Sequence, residues 1–134
     1  MLSKNGLRKS KRVTKTKSLT TLKNKADKLF SLAIRKRDGK SRKSGLTQNL
    51  QCSHIFSRSN NLIRWDMDNA LTLTAGEHLY WWHKEPAEAV EWAKKLLGDK
   101  IWVELVRKKN KPFKLTAKFI EERIKFLEDY ISNL

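Results

Sequence analysis

LQCSHI at residues 50–55 and ALTLT at residues 70–74 decide the fold, because each has the length and composition of a short β-strand. In the second stretch leucines alternate with threonines, which is typical of a half-buried strand. The polar residues 56–68 between them predict an irregular loop. Residues 75–83 (AGEHLYWWH) predict a helix directly after the second strand. The local order is therefore strand, loop, strand, helix.

Helical periodicity predicts elements on both sides of this unit. Apolar side chains recur at helical spacing over residues 19–34, and Ser18 is a suitable N-cap for them. A further helix is expected from Pro86, where a first turn tolerates proline, to Gly98. A polar, glycine-bounded loop is predicted over residues 38–45.

The C-terminal part also reads as helical. Thr116 predicts the N-cap of a final helix, whose apolar stripe consists of Ile120, Ile124, Leu127 and Ile131. Residues 101–106 fit either a strand or a helix. We therefore expect an α+β protein, with a basic arm at residues 1–17 that is disordered when free. A single domain at residues 18–134 follows, with its core motif at 50–84 and a helical part at 85–134.

The charge of the chain is concentrated near its N-terminus. Residues 1–43 hold 16 of the 30 basic side chains and two of the 14 acidic ones, which gives +14 of the net +16. The remaining residues are nearly neutral. A basic arm on a near-neutral body favours a polyanionic partner such as DNA over a solubilising tail.

Cellular context follows from what the sequence lacks. With one cysteine, Cys52, the chain has no intrachain disulfide and no four-cysteine zinc site. No apolar run approaches the roughly 20 residues that span a bilayer, and the basic N-terminus lacks the apolar core of a secretory signal. Residues 1–17 carry too few large apolar side chains to insert into lipid. We expect a soluble cytoplasmic protein with no membrane role.

Three side chains in the strand–loop–strand–helix unit suit phosphodiester hydrolysis. His54 ends the first strand, Asn69 precedes the second, and His78 lies in the following helix. A histidine can take a proton from water near neutral pH. Amide oxygen, imidazole nitrogen and carboxylate can hold a cation against a phosphate. A hairpin followed by a helix would bring such residues together.

The pattern Cys52-Ser53-His54-Ile55, then Asn69, then His78 resembles the HNH nuclease motif, whose fold is a β-hairpin and a helix around a metal ion (ββα-metal). A longer stretch is similar to the NinG/Rap recombination endonucleases of lambdoid phages. It comprises KLFS at residues 28–31 with Arg35, CSHIFSR at residues 52–58, and RWD at residues 64–66. The resemblance covers roughly residues 19–134 in layout, although its diagnostic residues lie within 52–78.

The resemblance implies a phage-encoded endonuclease that cuts branched DNA, such as Holliday junctions and D-loops, in the host cytoplasm. His54 would be the general base, and Asn69 would orient it or bind the metal. His78 would be the main metal ligand, with Ser53 and Asp68 as further candidates. Mg²⁺ or Mn²⁺ is the expected cofactor, although Zn²⁺ or Ni²⁺ would also suit a histidine-rich site. No small-molecule cofactor is expected.

DNA, branched or duplex, is the expected partner. Arg58 and Arg64 are candidates to clamp the phosphate, because arginine makes bidentate contacts. The further candidate DNA-binding residues are Lys9, Lys11, Arg12, Lys36, Arg42 and Lys43. A four-way junction is roughly two-fold symmetric, so a homodimer that places two active sites is a natural arrangement.

The chain departs from the family pattern in two places. Many HNH proteins carry two CxxC pairs around a structural zinc, but the first pair is absent here and Thr74 and Glu77 stand in the second. No structural zinc is therefore expected. Many also place Asp or His before the catalytic histidine, where this chain has Ser53, a weak ligand for a hard cation. A non-catalytic DNA-binding accessory protein and an HNH nicking enzyme of packaging or mobility remain alternatives.

The other notable side chains have simpler interpretations. His83 lies five residues after His78, away from the i,i+4 spacing that two ligands on one helix prefer, so we expect a structural role for it. Cys52 is interpreted as a small buried residue rather than a nucleophile. Trp65 and the Trp81–Trp82 pair are interpreted as core. Asp66 and Asp68 more often cap turns than bind metal.

Overall fold

The computed structural model describes residues 18–134, and the basic arm at residues 1–17 lies outside them. The described chain is a mixed α+β protein with five α-helices and one two-stranded antiparallel sheet. Its elements are α1 (Leu19–Asp38), β1 (Leu50–His54), β2 (Ala70–Thr74), α2 (Ala75–Glu77), a π-helical segment (His78–Trp82), α3 (Pro86–Leu97), α4 (Asp99–Asn110) and α5 (Ala117–Ser132). The predicted α+β class is confirmed.

Helix α1 begins and ends at residues that its sequence signals. The Ser18 hydroxyl accepts a hydrogen bond from the Thr21 amide at 3.2 Å, which confirms the predicted N-cap. The helix runs to Asp38 and ends at Gly39, whose φ of 69° is the left-handed conformation that glycine adopts without strain. Its apolar face is buried as the periodicity predicts: Leu22, Ala26, Phe30, Ala33 and Ile34.

The hairpin forms the middle layer of the molecule. β1 pairs with β2 from Leu50 opposite Thr74 to His54 opposite Ala70. One face of the hairpin meets α1, where the Thr72 hydroxyl donates to the Ile34 carbonyl at 3.2 Å. The opposite face, which includes Leu71 and Leu73, packs against Trp82, Ala89 and Ala93 of the π-helical segment and α3.

The C-terminal helices complete the two sides of the hairpin. The region 101–106, which fitted either a strand or a helix, lies within α4. Thr116 caps α5 by accepting from the Phe119 amide at 3.2 Å, as predicted. The α5 stripe is buried against α1 at Ile120, Ile124 and Leu127, while Ile131 is half-buried.

The loop between the strands is irregular but closely held. Trp65 is 1% exposed, and its carbonyl accepts a hydrogen bond from Arg123 of α5 at 2.6 Å. Asp66 caps the 3₁₀ turn at Met67–Asn69 and also accepts from Lys108 of α4 at 3.0 Å. The predicted core role of Trp65 and the predicted turn-capping role of Asp66 are both confirmed.

Hydrogen bonds join the positions where the resembled family has its second cysteine pair. Thr74 and Glu77 form a capping box, with the Thr74 amide 2.8 Å from the Glu77 carboxylate. The buried Ser41 hydroxyl donates to the same carboxylate at 2.6 Å, so the 39–49 loop is tied to the start of α2. No helix within residues 18–134 is long and apolar enough to cross a membrane.

Candidate functional site

A cleft of about 630 Å³ opens between α1, the end of β1, the π-helical segment and α3. All three histidines of the protein line it. The polar residues on its walls are Asp27, Ser31, His54, Ser57, Arg58, His78 and His83. Of the residues that the HNH resemblance singles out, His54 and His78 are thus brought together.

His54 is held by contacts from three sides. Its Nε2 lies 2.8 Å from the Arg64 carbonyl oxygen, which can only accept, so Nε2 carries the proton. The ring packs at 5.2 Å from that of Phe30 on α1, and the Trp82 indole donates to the His54 carbonyl at 3.1 Å. In the neutral ring, Nδ1 therefore has the free lone pair. This nitrogen is the basic atom available to the cleft.

The surroundings of His54 also keep it neutral. Burial lowers the pKa of His54 below its ordinary value, because a charged imidazolium is poorly solvated there. The hydrogen bond to the Arg64 carbonyl and the nearby Asp27 carboxylate oppose this effect only in part. The Nδ1 lone pair is thus present at neutral pH, as a general base requires.

His78 and His83 form a pair across one turn of the π-helical segment. The His83 amide hydrogen-bonds to the His78 carbonyl at 3.3 Å, five residues back, so the two side chains share a face. Their Nε2 atoms are 2.9 Å apart, and the His78 Nδ1–H donates to the Gln51 side-chain oxygen at 2.7 Å. The i,i+5 spacing that argued against His83 assumed an α-helix. The π-helical turn removes that objection and places His83 beside His78.

This pair has the donor chemistry of a cation site. The Gln51 contact keeps the His78 proton on Nδ1, so its Nε2 lone pair faces His83. With the His83 proton on Nδ1 instead of Nε2, the two rings would present two nitrogens to one ion. Burial, and then the charge of His83, lower the pKa of His78, which favours the neutral ring that binds metal. Imidazole suits Zn²⁺ or Ni²⁺ better than Mg²⁺ or Mn²⁺. Within residues 18–134, no group of three or more histidine, cysteine or acidic side chains converges as a metal site.

Asn69 does not reach the cleft. Its side chain is fully buried, and its amide oxygen accepts from the Phe56 amide at 2.8 Å. Its amide nitrogen donates to the carbonyls of Phe56 and Ile63, each at 3.0 Å. These bonds use both amide protons and direct the buried side chain into the loop, away from the cleft lining. Asn69 fastens the two ends of the loop to each other, and its expected role in orienting His54 or binding metal stays a prediction.

Ser53 and Asp68 also lie outside the cleft lining. Ser53 faces the same side of the hairpin as Leu71, is fully buried, and its hydroxyl has no hydrogen-bond partner within residues 18–134. Asp68 is exposed at the far end of the loop, where its amide hydrogen-bonds to Asp66. Neither placement supports the expected metal-ligand role.

Asp27 binds the two arginines expected to clamp phosphate, but unequally. Arg64 makes a bidentate pair with it, at 3.0 Å from Nε and 2.6 Å from Nη2, and the Trp65 indole adds a bond at 2.9 Å. Arg58 lines the cleft with its side chain 62% exposed, and its contact with Asp27 is a long 3.5 Å. Arg64 is thus committed to the fold rather than to phosphate. Arg58 is free to reach a phosphate in the cleft.

Asp27 is the residue of the site that sequence reasoning missed. Burial opposes its ionisation, yet the hydrogen bonds from Arg64 and Trp65 together hold the pKa of its carboxyl below the usual range. The signal was an isolated acid on the cationic helix α1, three residues before the buried Phe30. Such an acid on a partly buried face often has a basic partner elsewhere in the chain.

The remaining predicted residues lie away from the cleft or outside the described chain. Lys36 is exposed, Arg42 pairs with Asp38 at 3.3 Å, and Lys43 lies 3.8 Å over the Trp81 ring. Lys9, Lys11 and Arg12 fall in residues 1–17, outside the described part. Cys52 lines the cleft, but burial raises the pKa of its thiol to about 12, so it is protonated at neutral pH and unsuited to nucleophilic attack.

No family model, curated protein or solved structure matches this chain. The likeness to HNH nucleases therefore depends on the residues and geometry described above.

Proposed function

We propose that this protein is a metal-dependent endonuclease of HNH type that hydrolyses phosphodiester bonds in branched DNA, such as Holliday junctions and D-loops. The observation that carries the proposal is the tautomer and orientation of the His54 ring. Its Nε2–H is bonded to the Arg64 carbonyl at 2.8 Å, and its Nδ1 is available in a cleft that also holds the His78–His83 pair. A fixed neutral base facing a candidate cation site is what phosphodiester hydrolysis needs.

In this mechanism, His54 takes a proton from the attacking water at Nδ1. The Arg64 carbonyl stabilises the imidazolium that forms, since the hydrogen bond from Nε2–H strengthens as the ring becomes charged. Arg58 contacts a non-bridging oxygen and holds the phosphate in place, which its exposure allows. Ring packing against Phe30 keeps the base in one orientation through the reaction.

His78 and His83 would hold the divalent cation through their Nε2 atoms. Such an ion would supply positive charge against the phosphate and the leaving oxygen. Gln51 holds the His78 ring by its Nδ1–H, in the way that outer hydrogen bonds orient metal-binding histidines. The two-imidazole donor set favours Zn²⁺ or Ni²⁺ over the Mg²⁺ or Mn²⁺ that the resemblance implies.

The choice of branched DNA rests on the NinG/Rap resemblance and on charge. A net charge of +16 provides sequence-independent affinity for phosphate backbones, with selectivity left to shape. A homodimer is part of the proposal, because a four-way junction offers two symmetric strands to cut.

Cleavage of a labelled four-way junction tests the proposal. The junction and a matched linear duplex are incubated with Mn²⁺, Mg²⁺ or Zn²⁺, and with EDTA, for wild type, His54→Ala and Cys52→Ser. We expect metal-dependent cutting of the junction that His54→Ala abolishes while DNA affinity persists. Cys52→Ser, on the same cleft wall, should still cut. Failure of wild type to cut any DNA with any of the metals would refute the proposal.

A non-catalytic accessory protein on the same scaffold is the second candidate. The observation that favours it is the absence, within residues 18–134, of a third metal-binding side chain beside the histidine pair, with Ser53 buried instead. Tight junction binding with no cutting under any metal would select it. An HNH nicking enzyme shares the chemistry of the first proposal. A preference for nicked or linear duplex over the junction would select that reading.

A further inference from the structure

Asp27 ties helix α1 to the loop that holds the general base. Its carboxylate accepts hydrogen bonds from Arg64 at 2.6 and 3.0 Å and from the Trp65 indole at 2.9 Å. Arg58 approaches the same carboxylate at 3.5 Å. The three bonds from the consecutive residues Arg64 and Trp65 thus fix one short piece of the loop against α1, and that piece includes the Arg64 backbone.

The Arg64 backbone connects the Asp27 contacts to the proposed general base. Its carbonyl oxygen lies 2.8 Å from Nε2 of His54, so the position of this carbonyl sets the direction of the imidazole ring. Phe30, three residues after Asp27 on α1, packs against the other side of that ring. Helix α1 lies outside the hairpin–helix unit, yet it supplies the Phe30 ring contact and the Asp27 carboxylate that holds Arg64.

We propose that Asp27 is a positioning residue for His54: by holding Arg64 and Trp65, it fixes the carbonyl that keeps Nε2–H bonded and Nδ1 available to the cleft. The structural part of this inference stands without any enzymatic activity. Its effect on catalysis rests on the proposed nuclease function. Since misplacement of a reacting group by about 1 Å can reduce a rate about 100-fold, a small movement of Arg64 is sufficient.

Asp38 provides a matched control on the same helix. Its carboxylate also pairs with arginines, Arg37 at 2.9 Å and Arg42 at 3.3 Å, and accepts from the Thr72 amide at 3.0 Å. These contacts lead to the second strand and, through Arg37, to the Met67 and Ala70 carbonyls at the end of the loop, but not to the Arg64 carbonyl. Removing the charge of Asp38 therefore weakens a comparable set of ion pairs. It leaves in place the Arg64 carbonyl that accepts the hydrogen bond from His54.

The decisive measurement follows the His54 Nε2–H proton by NMR in wild type, Asp27→Asn and Asp38→Asn. In wild type and Asp38→Asn the proton should be protected from exchange with water. In Asp27→Asn its exchange should rise at least about tenfold, as expected when a hydrogen bond is released to local opening. Arg64→Lys keeps the carbonyl but removes the bidentate pair, and should show the same loss if Asp27→Asn folds poorly. Unchanged protection in both Asp27→Asn and Arg64→Lys would overturn the inference.

Single-turnover cleavage tests the catalytic part. Asp27→Asn should lower the rate at saturating DNA about tenfold to 100-fold with little change in the DNA concentration for half-saturation, because the base is displaced and the substrate contacts remain. Asp38→Asn should retain the wild-type rate. The two variants are compared at a temperature at which both are folded, as thermal melting shows. Absence of cleavage by wild type would refute the proposed function and leave the exchange result to decide the role of Asp27.

A second, smaller pocket of about 160 Å³ lies on the other side of the same loop. It is lined by loop residues 59–62 and by Lys108, Lys109 and Lys111 at the end of α4, with no acidic side chain in its lining. The stretch RKKNKPFK at residues 107–114 holds five basic residues and no acid. This local excess of positive charge is not apparent from the nearly neutral total for residues 44–134. Lys108 is bonded to Asp66, whereas Lys109, which lies 5.5 Å over the Phe56 ring, and Lys111 pair with no acidic side chain within residues 18–134.

We infer that this pocket binds a phosphate of the nucleic-acid backbone that passes through the cleft. Ser57 and Arg58 line the cleft, and the next four residues line the pocket, so one loop separates the two sites. Ser59, Asn60 and Asn61 add polar groups of the kind that position a backbone without reading sequence. The inference takes DNA as the partner from the proposed function, but it requires no cleavage.

Equilibrium binding in EDTA over a range of salt concentrations tests this site with cleavage switched off. The double variant Lys109→Ala/Lys111→Ala should reduce the slope of log affinity against log salt by about one, the value for one lost phosphate contact. The double variant Lys118→Ala/Lys125→Ala on α5 removes the same charge from exposed positions and should lose less affinity. Equal slopes and affinities for the two double variants would overturn the assignment, whether or not wild type cuts DNA.

Discussion

His54 at one end of the cleft is held by α1, by the inter-strand loop and by the π-helical segment, whereas His78 and His83 at the other end are held by Gln51 and by each other. His54 is half-buried and its partners are backbone groups or core rings. His83 is exposed, and its contact partner is another titratable ring. The end at His54, the base end, is therefore set by the fold alone. The end at His78 and His83, the pair end, is the proposed cation site, which a bound ion would complete.

The difference lies in how firmly the fold holds the side chains at each end of the cleft. A general base has to be oriented before the substrate arrives, because its geometry decides the rate. The two histidines of the proposed cation site contact each other, and an ion would replace that contact. The two ends should consequently respond differently to mutation, metal and pH.

Loss of the base should give the largest effect. His54→Ala should reduce the cleavage rate by about 10²- to 10⁴-fold, the usual contribution of a general base. Metal-induced stabilisation should persist, since the His78–His83 pair is intact. Single-turnover cleavage and thermal melting with and without Mn²⁺ or Zn²⁺ measure the two effects separately. A variant that lost its metal response along with its activity would show that the ends are not independent.

Truncation of Asn69 should give the next largest effect, on stability. Asn69→Ala removes three buried hydrogen bonds that close the loop at the base end, which should lower the free energy of unfolding by about 3 kcal/mol. Gln51→Ala removes one exposed contact at the pair end and should cost less than about 1 kcal/mol. Urea unfolding measures both values. Equal losses would contradict the proposed contrast in rigidity.

Metal should stabilise the protein through the pair end. At a concentration about 100 times its dissociation constant, a cation bound only to the folded state adds about 2.7 kcal/mol. We expect Zn²⁺ or Ni²⁺ to raise the melting temperature of wild type, and His78→Ala or His83→Ala to remove most of that rise. Calorimetric titration of the three proteins gives the affinities directly. A full metal response in both variants would place the cation elsewhere.

The smallest expected effect is the pH dependence of stability at the base end. Burial lowers the pKa of His54 in the folded state below its unfolded value of about 6.5. Between these two values the unfolded chain binds more protons, so the stabilisation is present above about pH 6.5 and is lost as the pH falls toward the folded pKa. Asp27 and Asp38 have lowered pKa values and contribute only near and below their unfolded value of about 3.9.

Denaturant unfolding at about pH 7.5 and 5.5 tests this sign. Wild type should lose more stability between the two pH values than His54→Gln, which has no imidazole to protonate at that position. His78, whose pKa is also lowered, is present in both proteins and cancels in the comparison. An equal loss in the two proteins would mean that His54 is not buried in its neutral form.

Sequence reasoning located the elements well because their signals are short-range. Both caps, at Ser18 and Thr116, and the second strand at Ala70–Thr74 were predicted from neighbouring residues and were confirmed. The first strand was predicted one residue too long, at Ile55, whose amide instead bonds to the Asn69 carbonyl. Region 101–106 stayed undecided because a short apolar run fits both periodicities.

The candidate site was harder to predict from the sequence, because the residues that contact one another there are distant in the chain. The bond from Arg64 to Asp27 joins residues 37 apart, so no local pattern revealed that Arg64 was already committed. Asn69 carried the chemistry of a ligand, but three backbone groups of the loop claim its side chain. His83 was set aside because the spacing rule assumed 3.6 residues per turn. Only the folded backbone shows that the turn is wider.

The π-helical segment has a consequence in genetic terms. An α-helix carrying two histidines four residues apart becomes this segment by the gain of a single codon between them, because a π-helical turn absorbs one extra residue and leaves the flanking helix faces in register. The exposed Leu79 and Tyr80 lie where such a codon could be accepted without disturbing the core. Histidine pairs of this kind can therefore survive a length change in the gene, and a pattern with a fixed spacing of four would pass over them.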